Sequence, residues 1–403
     1  MTNATLPLRF RNPFDPEPWA TPTVRLAPEL RRDTALLERL RAAHFEGDTL
    51  ADDLVEWMYS VGLRDGRRAF EQAVEHGVGS LSEPSAPLAS FFASVDAVPA
   101  WLDRGQLERA SRAATRAAIG GGYVLFSLSL LSGYVSAGIT KTLARTGALE
   151  TMAPRRLAET AKFVDDVYRS RTLERANDGF KTTLRVRVMH ALVRRQLLRS
   201  GWDVERWGLP INQADMALTV LQFSTTFVIG LRMLGHIVPK KDGQAMTHLW
   251  RYVGRLSGVA EDLLPATEEE GRRMLRLLAA SQQGPDADGR ALARALLAAP
   301  AEQLAEAGYP RWAIRADAAF RAGFARFALG ATAADALGLP DTRWKYAPFV
   351  VAPVVFATEV ARCATPFATP LAEYFGRRLA DDRMRRLLGG RAPTFVPRGA
   401  GAE

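Results

Sequence analysis

The chain has 403 residues, of which 47% are hydrophobic and 24% charged, a composition typical of globular proteins and not of disordered or fibrous ones. Its single cysteine, Cys363, excludes an internal disulfide framework and a zinc site built on paired thiolates. The formal net charge is +9, but only six of the 53 basic residues are lysines, and the arginines are spread along the chain. The charge therefore does not predict a nucleic-acid-binding protein.

Residues 1–30 contain many prolines and little periodicity, which predicts an extended arm over the protein surface. The N-terminus lacks a basic region followed by an apolar stretch, so no export signal is recognised and a cytoplasmic location is expected. From Pro28 onward, leucines recur at helical spacing with charges on the opposite face, as in PELRRDTALLERLRAAHF. Because alternating β patterns are almost absent, we expect an all-α protein with one large helical domain over residues 31–375.

The stretch from Ala117 to Thr140 carries no charge and is flanked by Arg116 and Lys141. Its length suffices to cross a bilayer. It also contains five glycines and several serines, and a fully buried helix in a large helical domain has the same hydropathy. We therefore favour a buried helix over a membrane span.

Several catalytic motifs are missing from the sequence, namely HExxH, paired Glu-x-x-His, CxxC, GxxxxGK[ST] and GxSxG. Di-iron, nucleotide-binding and serine-hydrolase functions therefore have little support. Of the five histidines, four lie in contexts that predict structural or surface positions: His44, His76, His236 and His248.

The helix expected over residues 155–169 places polar groups and one aromatic ring on a single face. Arg156, Glu159, Thr160 and Phe163 recur at helical spacing. They could supply a positive charge, a carboxylate and a hydroxyl over an apolar pocket wall. An ordinary amphipathic helix explains the same pattern.

The fifth histidine, His190, lies in the run TTLRVRVMHALVRRQLL. Arg187 and Arg194 stand at i−3 and i+4 from it, bordered by valine and leucine, so this stripe is predicted to turn inward. Buried arginines are costly unless they meet anions. One solution is a haem whose iron is held by the imidazole and whose propionates meet the guanidinium groups. The other is a helix whose arginines pair with interior Asp or Glu and whose histidine is simply packed.

Two C-terminal segments leave alternatives open. Residues 350–356 are either strand-like or part of a buried helix that contains Pro353. Residues 376–403 combine a short basic amphipathic helix with a flexible tail. That helix is either solvated on the surface or in contact with a membrane surface.

The run RVRVMHALVRR, followed by WGLPINQADMALT and then an apolar helix with Phe223, resembles the latex clearing proteins. These rubber oxygenases are grouped with the fungal membrane-bound oxygenase of mycophenolic acid biosynthesis. The similarity is strongest over residues 155–235. It implies a globin-like helical core that encloses one haem b and cleaves a C=C bond of polyisoprene with dioxygen.

The resemblance also implies roles for individual residues. His190 matches the proximal iron ligand, and Arg187 and Arg194 match the arginines that flank it. Arg156 and Thr160 match an arginine and a threonine four residues apart on the preceding helix.

Two positions depart from the family pattern. Glu159 stands where the rubber oxygenases have a distal lysine, and Thr140 stands where they have a distal glutamate, with Lys141 beside it. Either the acid and the amine have exchanged places or the site serves another substrate. The family's secretion signal is also missing, which argues against extracellular rubber as the substrate.

The resulting prediction is a haem b oxygenase that uses dioxygen on a hydrophobic, unsaturated, isoprenoid or polyisoprene-like substrate. His190 would bind the iron, with Arg187, Arg194, Arg156 and Thr160 around the cofactor. Glu159, Thr160 and Arg156 are the candidate catalytic residues, Glu159 and Thr160 for distal proton handling. The alternatives are a helical lipid-binding protein without catalysis and a gas-sensing haem protein, and peripheral contact with a membrane stays open for each.

Overall fold

The computed structural model describes residues 7–11, 34–146 and 153–388. Within these ranges every regular element is helical, which confirms the all-α prediction. The helices of the first part of the chain are α1 (Thr34–Ala42), α2 (Thr49–Ser60), α3 (Leu63–His76), α4 (Ala86–Asp96), α5 (Arg104–Arg116), α6 (Ala118–Val124), α7 (Leu130–Gly133), α8 (Ala137–Arg145) and α9 (Ala153–Arg169).

The second part of the chain continues the helical pattern to its last described residue. Its helices are α10 (Asp178–Arg199), α11 (Val204–Trp207), α12 (Gln213–Leu221), α13 (Phe227–Met233), α14 (Lys240–Leu256), α15 (Glu268–Ala280), α16 (Ala287–Glu306), α17 (Arg311–Leu329), α18 (Ala331–Ala336), α19 (Ala347–Ala364) and α20 (Ala368–Leu388). Short 3-10 turns lie at Ala43–Phe45, Val78–Ser80, Glu261–Leu263 and Arg343–Tyr346.

Local sequence explains where many of these helices begin. The Asp48 side chain accepts a hydrogen bond from the Ala51 amide at the start of α2, and the Asp103 side chain caps α5 in the same way. At the start of α15, Thr267 accepts from the Glu270 amide while the Glu270 carboxylate accepts from the Ala266 amide. Such caps satisfy amides that have no partner inside the helix.

Two π-helical turns interrupt the core helices. Leu125–Ser129 joins α6 to α7, and Gln222–Thr226 joins α12 to α13. The two turns pack against each other. Glycine allows this close crossing, because a Cβ added at Gly230 would lie 2.5 Å from Cγ1 of Val124.

One buried apolar cluster extends from Leu40 to Leu339 and includes residues of most helices between them. At its centre, α14 packs on α5 and α12. Trp250 of α14 is 1% exposed and stacks on Phe223 with ring centroids 4.7 Å apart. Stacked and edge-on aromatic pairs of this kind add to the free energy of burial.

The structure decides three of the sequence interpretations. The uncharged stretch that begins at Ala117 is bent into α6, α7 and α8 and is mostly buried in the protein, as the buried-helix interpretation requires. Residues 350–356 belong to α19 and form neither a strand nor a buried helix, because α19 lies on the surface. The predicted basic helix is the second half of α20.

The N-terminal arm is described only for residues 7–11, and there it does not simply cover the surface as expected. Its backbone pairs with the end of α11, since the Leu8 and Arg9 amides donate to the Glu205 and Arg206 carbonyls. The Arg9 side chain is 1% exposed and passes over Gly138, where a Cβ would lie 1.3 Å from Arg9 Nη1. The arm therefore places the positive charge of Arg9 in the interior of the protein. Its other residues, and those beyond residue 388, lie outside the described part.

Candidate functional site

A largely apolar cavity of about 300 Å³ lies among α7, α8, α9, α10, α12 and α16. This volume is at the lower end of the range for small-molecule sites. The apolar wall consists of Leu130, Ile139, Leu143, Leu157, Phe163, Val186, Met189, Val193, Ile211, Met216, Phe223, Leu292 and Leu296. Such a wall fits a hydrophobic ligand.

A few polar side chains interrupt this wall. His190 enters from α10, while Glu159 and Thr160 enter from α9. Asp215 and Gln222 lie on the opposite part of the lining, on α12 and the π turn that follows it. The structure thus brings His190, Glu159 and Thr160 to one cavity, three residues that the sequence singled out.

Helical geometry explains what His190 contacts. At about 100° per residue, Val186 and Val193 lie about 50° to one side of His190, and Arg187 and Arg194 lie about 50° to the other. The valines line the cavity and the arginines do not. His190 therefore stands at the border between the cavity face and the arginine face of α10.

The two arginines are buried against α2. Arg187 Nε and Nη2 donate to the Asp48 carboxylate at 2.6 and 2.8 Å, and its guanidinium lies 4.6 Å from the centroid of the Phe91 ring. Arg194 Nη1 donates to Asp52 at 2.5 Å, and its Nε donates to the Pro210 carbonyl at 3.1 Å.

These contacts correct the expectation that Arg187 and Arg194 contact haem propionates from beside His190. Both guanidinium groups are directed to carboxylates on α2, which is the alternative in which interior acids pair with the arginines. The correction follows from a property that spacing cannot show, because residues three and four apart share a face only broadly. The two sides of that face meet different neighbours.

Of the two positions that depart from the family pattern, Glu159 lines the cavity, whereas Thr140 and its neighbour Lys141 do not. Thr140 is fully buried, and its hydroxyl donates to carbonyls of its own helix. The Lys141 ammonium pairs with Asp288 and, at 3.0 Å, with Asp286. An exchange of acid and amine between this segment and Glu159 is therefore not what the structure shows. Arg156 belongs to α9, but its side chain lies outside the described part.

Asp215 is a cavity residue for which the sequence gave no role, although it lies within the run WGLPINQADMALT. Arg9 Nη2 donates to its Oδ2 at 2.8 Å, and Asn212 Nδ2 donates to the same oxygen at 3.0 Å. Its Oδ1 has no hydrogen-bond partner among the described residues. Because Arg9 is remote in sequence, no local pattern could have indicated this pair.

The charge of Arg9 acts on a neighbouring imidazole as well. Burial, and then the positive charge of Arg9, lowers the pKa of His44 to about 4, against an opposing effect of Asp215. His44 Nδ1 lies 2.9 Å from the Leu40 carbonyl oxygen. His44 is therefore a neutral, structural histidine at physiological pH, as its sequence context predicted.

The π turn Gln222–Thr226 contributes two side chains to the cavity, Gln222 and Phe223. A Cβ added at Gly133 would lie 2.9 Å from Gln222 Nε2, so the glycine allows α7 to approach this amide closely. π-Helical turns often occur at functional sites because they redirect side chains without breaking the helix. The sequence indicated Phe223 but not Gln222.

Among the described residues, no group of three or more His, Cys, Asp or Glu side chains could hold a metal ion. A single imidazole at a cavity wall is one of the donors by which proteins hold haem iron.

Comparison with known proteins identifies similar sequences. Residues 112–362 match the sequence model of a family described as "ER-bound oxygenase mpaB/B'/Rubber oxygenase, catalytic domain". The chain is 26% identical over 257 residues to a rubber oxygenase of Streptomyces sp. (strain K30). That alignment covers 62% of this chain and 60% of the relative, so the chain matches less than two thirds of the relative's length.

Comparison with solved structures identifies a protein of similar fold. A latex clearing protein in its closed state superposes with a TM-score of 0.59 at 21% sequence identity. The superposition covers 84% of this chain and 91% of that one. At this identity the likeness concerns the helical fold that surrounds the cavity.

Proposed function

Because the chain belongs to the family of mpaB-type and rubber oxygenase catalytic domains, we propose that it is a haem b-dependent oxygenase acting on a hydrophobic, unsaturated substrate. The substrate class we propose is isoprenoid or polyisoprene-like, and the reaction is oxidative cleavage of a C=C bond with dioxygen. One observation carries this proposal: the imidazole of His190 and the carboxylate of Glu159 line the same apolar cavity.

The residues present fit a haem. The cavity offers one imidazole on a mostly apolar wall, and the porphyrin would itself supply the other iron ligands, so no protein cluster of metal ligands is required. His190 would hold the iron. Haem iron, when bound, would supply the centre at which dioxygen is activated.

The chain's own residues perform the other tasks. The aliphatic and aromatic wall, which includes Leu292 and Leu296 of α16, binds an apolar chain and excludes water from it. The Glu159 carboxylate accepts a proton from a carbon next to the double bond, and the Thr160 hydroxyl is a hydrogen-bond donor beside it. A role for Arg156 at the cofactor stays a prediction from the family resemblance.

Arg187 and Arg194 take a different role from the one expected for them. Their ion pairs with Asp48 and Asp52 fix the rotation of α10 about its axis. That rotation determines which atoms α10 presents to the cavity, so the two arginines are positioning residues for His190.

The test of this function begins with cofactor content. Purified protein is expected to show a Soret band, and His190→Ala is expected to lose it while keeping its helical circular dichroism spectrum. His76→Ala, at an exposed histidine, is the matched control and is expected to keep the band. A colourless wild-type protein that binds lipid would instead support the alternative of a helical lipid-binding protein.

Activity is tested separately from haem binding. Oxygen consumption with polyisoprene or short terpenoids, followed by detection of aldehyde and ketone products, is expected for the oxygenase. A haem-loaded protein that binds dioxygen without consuming it in the presence of these substrates would support the gas-sensing alternative.

A further inference from the structure

Helix α19 is an apolar helix that the protein leaves on its surface. Two helical segments of the described chain are long and apolar enough to cross a membrane by length and composition, Gln213–Met233 and Arg343–Ala364. The first is 83% buried inside the protein, so its apolar side chains are packed in the core. The second is only 6% buried. Its apolar surface therefore faces away from the protein.

Large apolar side chains of α19 and α20 share this exposure. Phe349 is 65% exposed, Val350 is 71% exposed and Val354 is 61% exposed. We call the apolar face the following set of exposed residues: Phe349, Val350, Val354, Phe356, Val360, Phe367, Leu371, Tyr374, Phe375 and Leu379. Helices α19 and α20 pack on each other, and a soluble protein rarely exposes so many large apolar side chains on neighbouring helices unless it binds something.

The two helices hold this face together. Arg362 Nη1 of α19 donates to Thr369 Oγ1 of α20 at 2.8 Å, and the Arg362–Glu359 pair is largely shielded from solvent. On the inner side, Ala352 contacts Gly235, where a Cβ would lie 2.1 Å from the Ala352 carbonyl oxygen. The outward direction of Val350 and Val354 is thus fixed by packing on the protein.

Polar aromatic and basic residues border the apolar face. Trp344 and Tyr346 are exposed at the start of α19, beside the basic Arg343 and Lys345. Helix α20 carries exposed arginines as well: Arg377, Arg378, Arg385 and Arg386. Tryptophan and tyrosine at the water boundary, with cations beyond them, are the arrangement found at membrane interfaces.

Charge decides between a lipid surface and a second copy of the chain. A symmetric dimer would bring the same face of each copy together and place the like-charged borders of α20 close to each other. An anionic lipid surface instead attracts those arginines, and the whole chain carries a formal net charge of +9. The lipid surface is the better match.

The length of the uncharged stretch decides how the helix meets the lipid. No charged residue lies between Tyr346 and Thr358, which at 1.5 Å per residue is about 20 Å of helix. A bilayer core is about 30 Å thick. We propose that the apolar face docks on an anionic lipid bilayer, with α19 lying in the headgroup region and not crossing the membrane.

Vesicle flotation of the full chain tests this proposal. The probes are vesicles of phosphatidylcholine alone and of phosphatidylcholine with about 30% phosphatidylglycerol. The wild type is expected to float with the anionic vesicles, and V350D/V354D is expected to bind them at least about tenfold more weakly. The matched control, V61D/V98D, introduces the same change at exposed valines elsewhere and is expected to bind as the wild type does.

A charge variant tests the electrostatic part. R377E/R378E is expected to bind anionic vesicles more weakly than the wild type, by at least about fivefold for each reversed charge. Binding of the wild type is expected to fall as salt is raised. Circular dichroism and thermal unfolding of each variant establish that a loss of binding is not a loss of folding.

Three results would overturn the proposal. One is a wild type that floats with neither kind of vesicle. Another is a control variant, V61D/V98D, that loses binding as much as V350D/V354D does. The third is a wild type that does not bind vesicles and that light scattering shows to be a dimer, with V350D/V354D monomeric. The apolar face would then be the contact between two copies of the chain.

Discussion

Single side chains of α9 and α10 determine what the cavity can do. Glu159 and Thr160 follow each other on α9, and His190 stands across from them on α10. The wall around them is mostly apolar, so each polar atom there acts in a medium that screens charge less than water does. A change of one functional group is therefore expected to change reactivity more than structure.

Glu159→Gln removes the proposed proton acceptor and keeps the size of the side chain. We expect substrate-dependent oxygen consumption to fall about 10²-fold or more, because general acid–base catalysis contributes rate factors of this order. The Soret band and the melting temperature are expected to stay close to those of the wild type. The measurement is oxygen uptake by protein normalised to haem content.

Glu159→Asp serves as the conservative control for this substitution. It keeps the carboxylate and shortens its reach, so activity is expected to lie between the wild type and the amide variant. If Glu159→Gln retained full activity at equal haem content, the carboxylate would have no part in proton transfer and the apolar wall alone would define the site.

Residues of the site differ in how well the sequence could predict them. His190, Glu159 and Thr160 were predictable because helical spacing places them on inward faces. The family resemblance implied roles for His190 and Thr160, whereas Glu159 departs from the family pattern. Asp215 was not, since its partner Arg9 precedes it by 206 residues and only the folded chain brings them together. Gln222 was not either, because a π turn changes the direction of its side chain relative to regular helical spacing.

At the scale of elements, α2 and α10 are joined by a ladder of ion pairs that sets the position of His190. Asp48, Asp52 and Glu56 recur at i, i+4 and i+8 along α2 and its cap. Their partners on α10 are Arg187, Arg194 and Arg195, in that order. The ladder runs from a buried pair at Asp48 to a solvent-exposed one at Glu56, so its steps differ in energetic value.

Asp48→Asn breaks the buried end of this ladder. Asn caps a helix as well as Asp does, so the start of α2 is expected to survive. The Arg187 guanidinium, with a side chain 5% exposed, would lose its counter-charge, and removal of one partner of a buried pair costs about 3–5 kcal/mol. We expect that decrease in the free energy of unfolding by urea, together with a loss of haem affinity as α10 rotates.

Glu56→Gln is the matched control at the exposed end of the ladder. The Glu56 side chain is 58% exposed, so the loss is expected to stay below about 1 kcal/mol. Equal effects of the two substitutions would mean that α10 is held by apolar packing and not by the ion pairs.

The sequence predicted the helices better than the contacts that each helix makes. Helical periodicity correctly predicted an all-α chain and the burial of the uncharged stretch after Ala117, because periodicity reports which residues can share a face. For residues 350–356 the sequence left a strand and a buried helix open, and α19 is neither, because hydropathy says that a segment avoids water but not what covers it. The sequence could not predict the partner of Arg187 either, since both haem propionates and α2 carboxylates satisfy a guanidinium.

For the whole molecule, internal pairing explains much of the arginine-rich composition. Arginines of α5, α10 and α13 meet carboxylates of distant helices, as in Arg116 with Asp242 and Arg232 with Glu268. Most such pairs are partly exposed and contribute little individually. The pH dependence of global stability is therefore expected to come from the few groups that burial forces into one charge state.

His44 is one such group, and its effect can be assigned a direction. Its pKa is about 4 in the folded chain and 6.5 in its unperturbed state. Between these values the unfolded chain binds a proton that the folded chain does not, so the stability from neutral His44 is complete above pH 6.5 and lost as pH falls toward 4. The shift corresponds to a loss of about 3 kcal/mol over that window.

His44→Gln isolates this contribution, because glutamine stays neutral throughout. Other groups of the protein also titrate as pH falls, so the quantity to measure is the difference in unfolding free energy between wild type and variant from pH 7 to pH 4. That difference is expected to move by about 3 kcal/mol in favour of the variant as pH falls. A curve for His44→Gln that runs parallel to that of the wild type would show that Arg9 and burial do not hold this imidazole neutral.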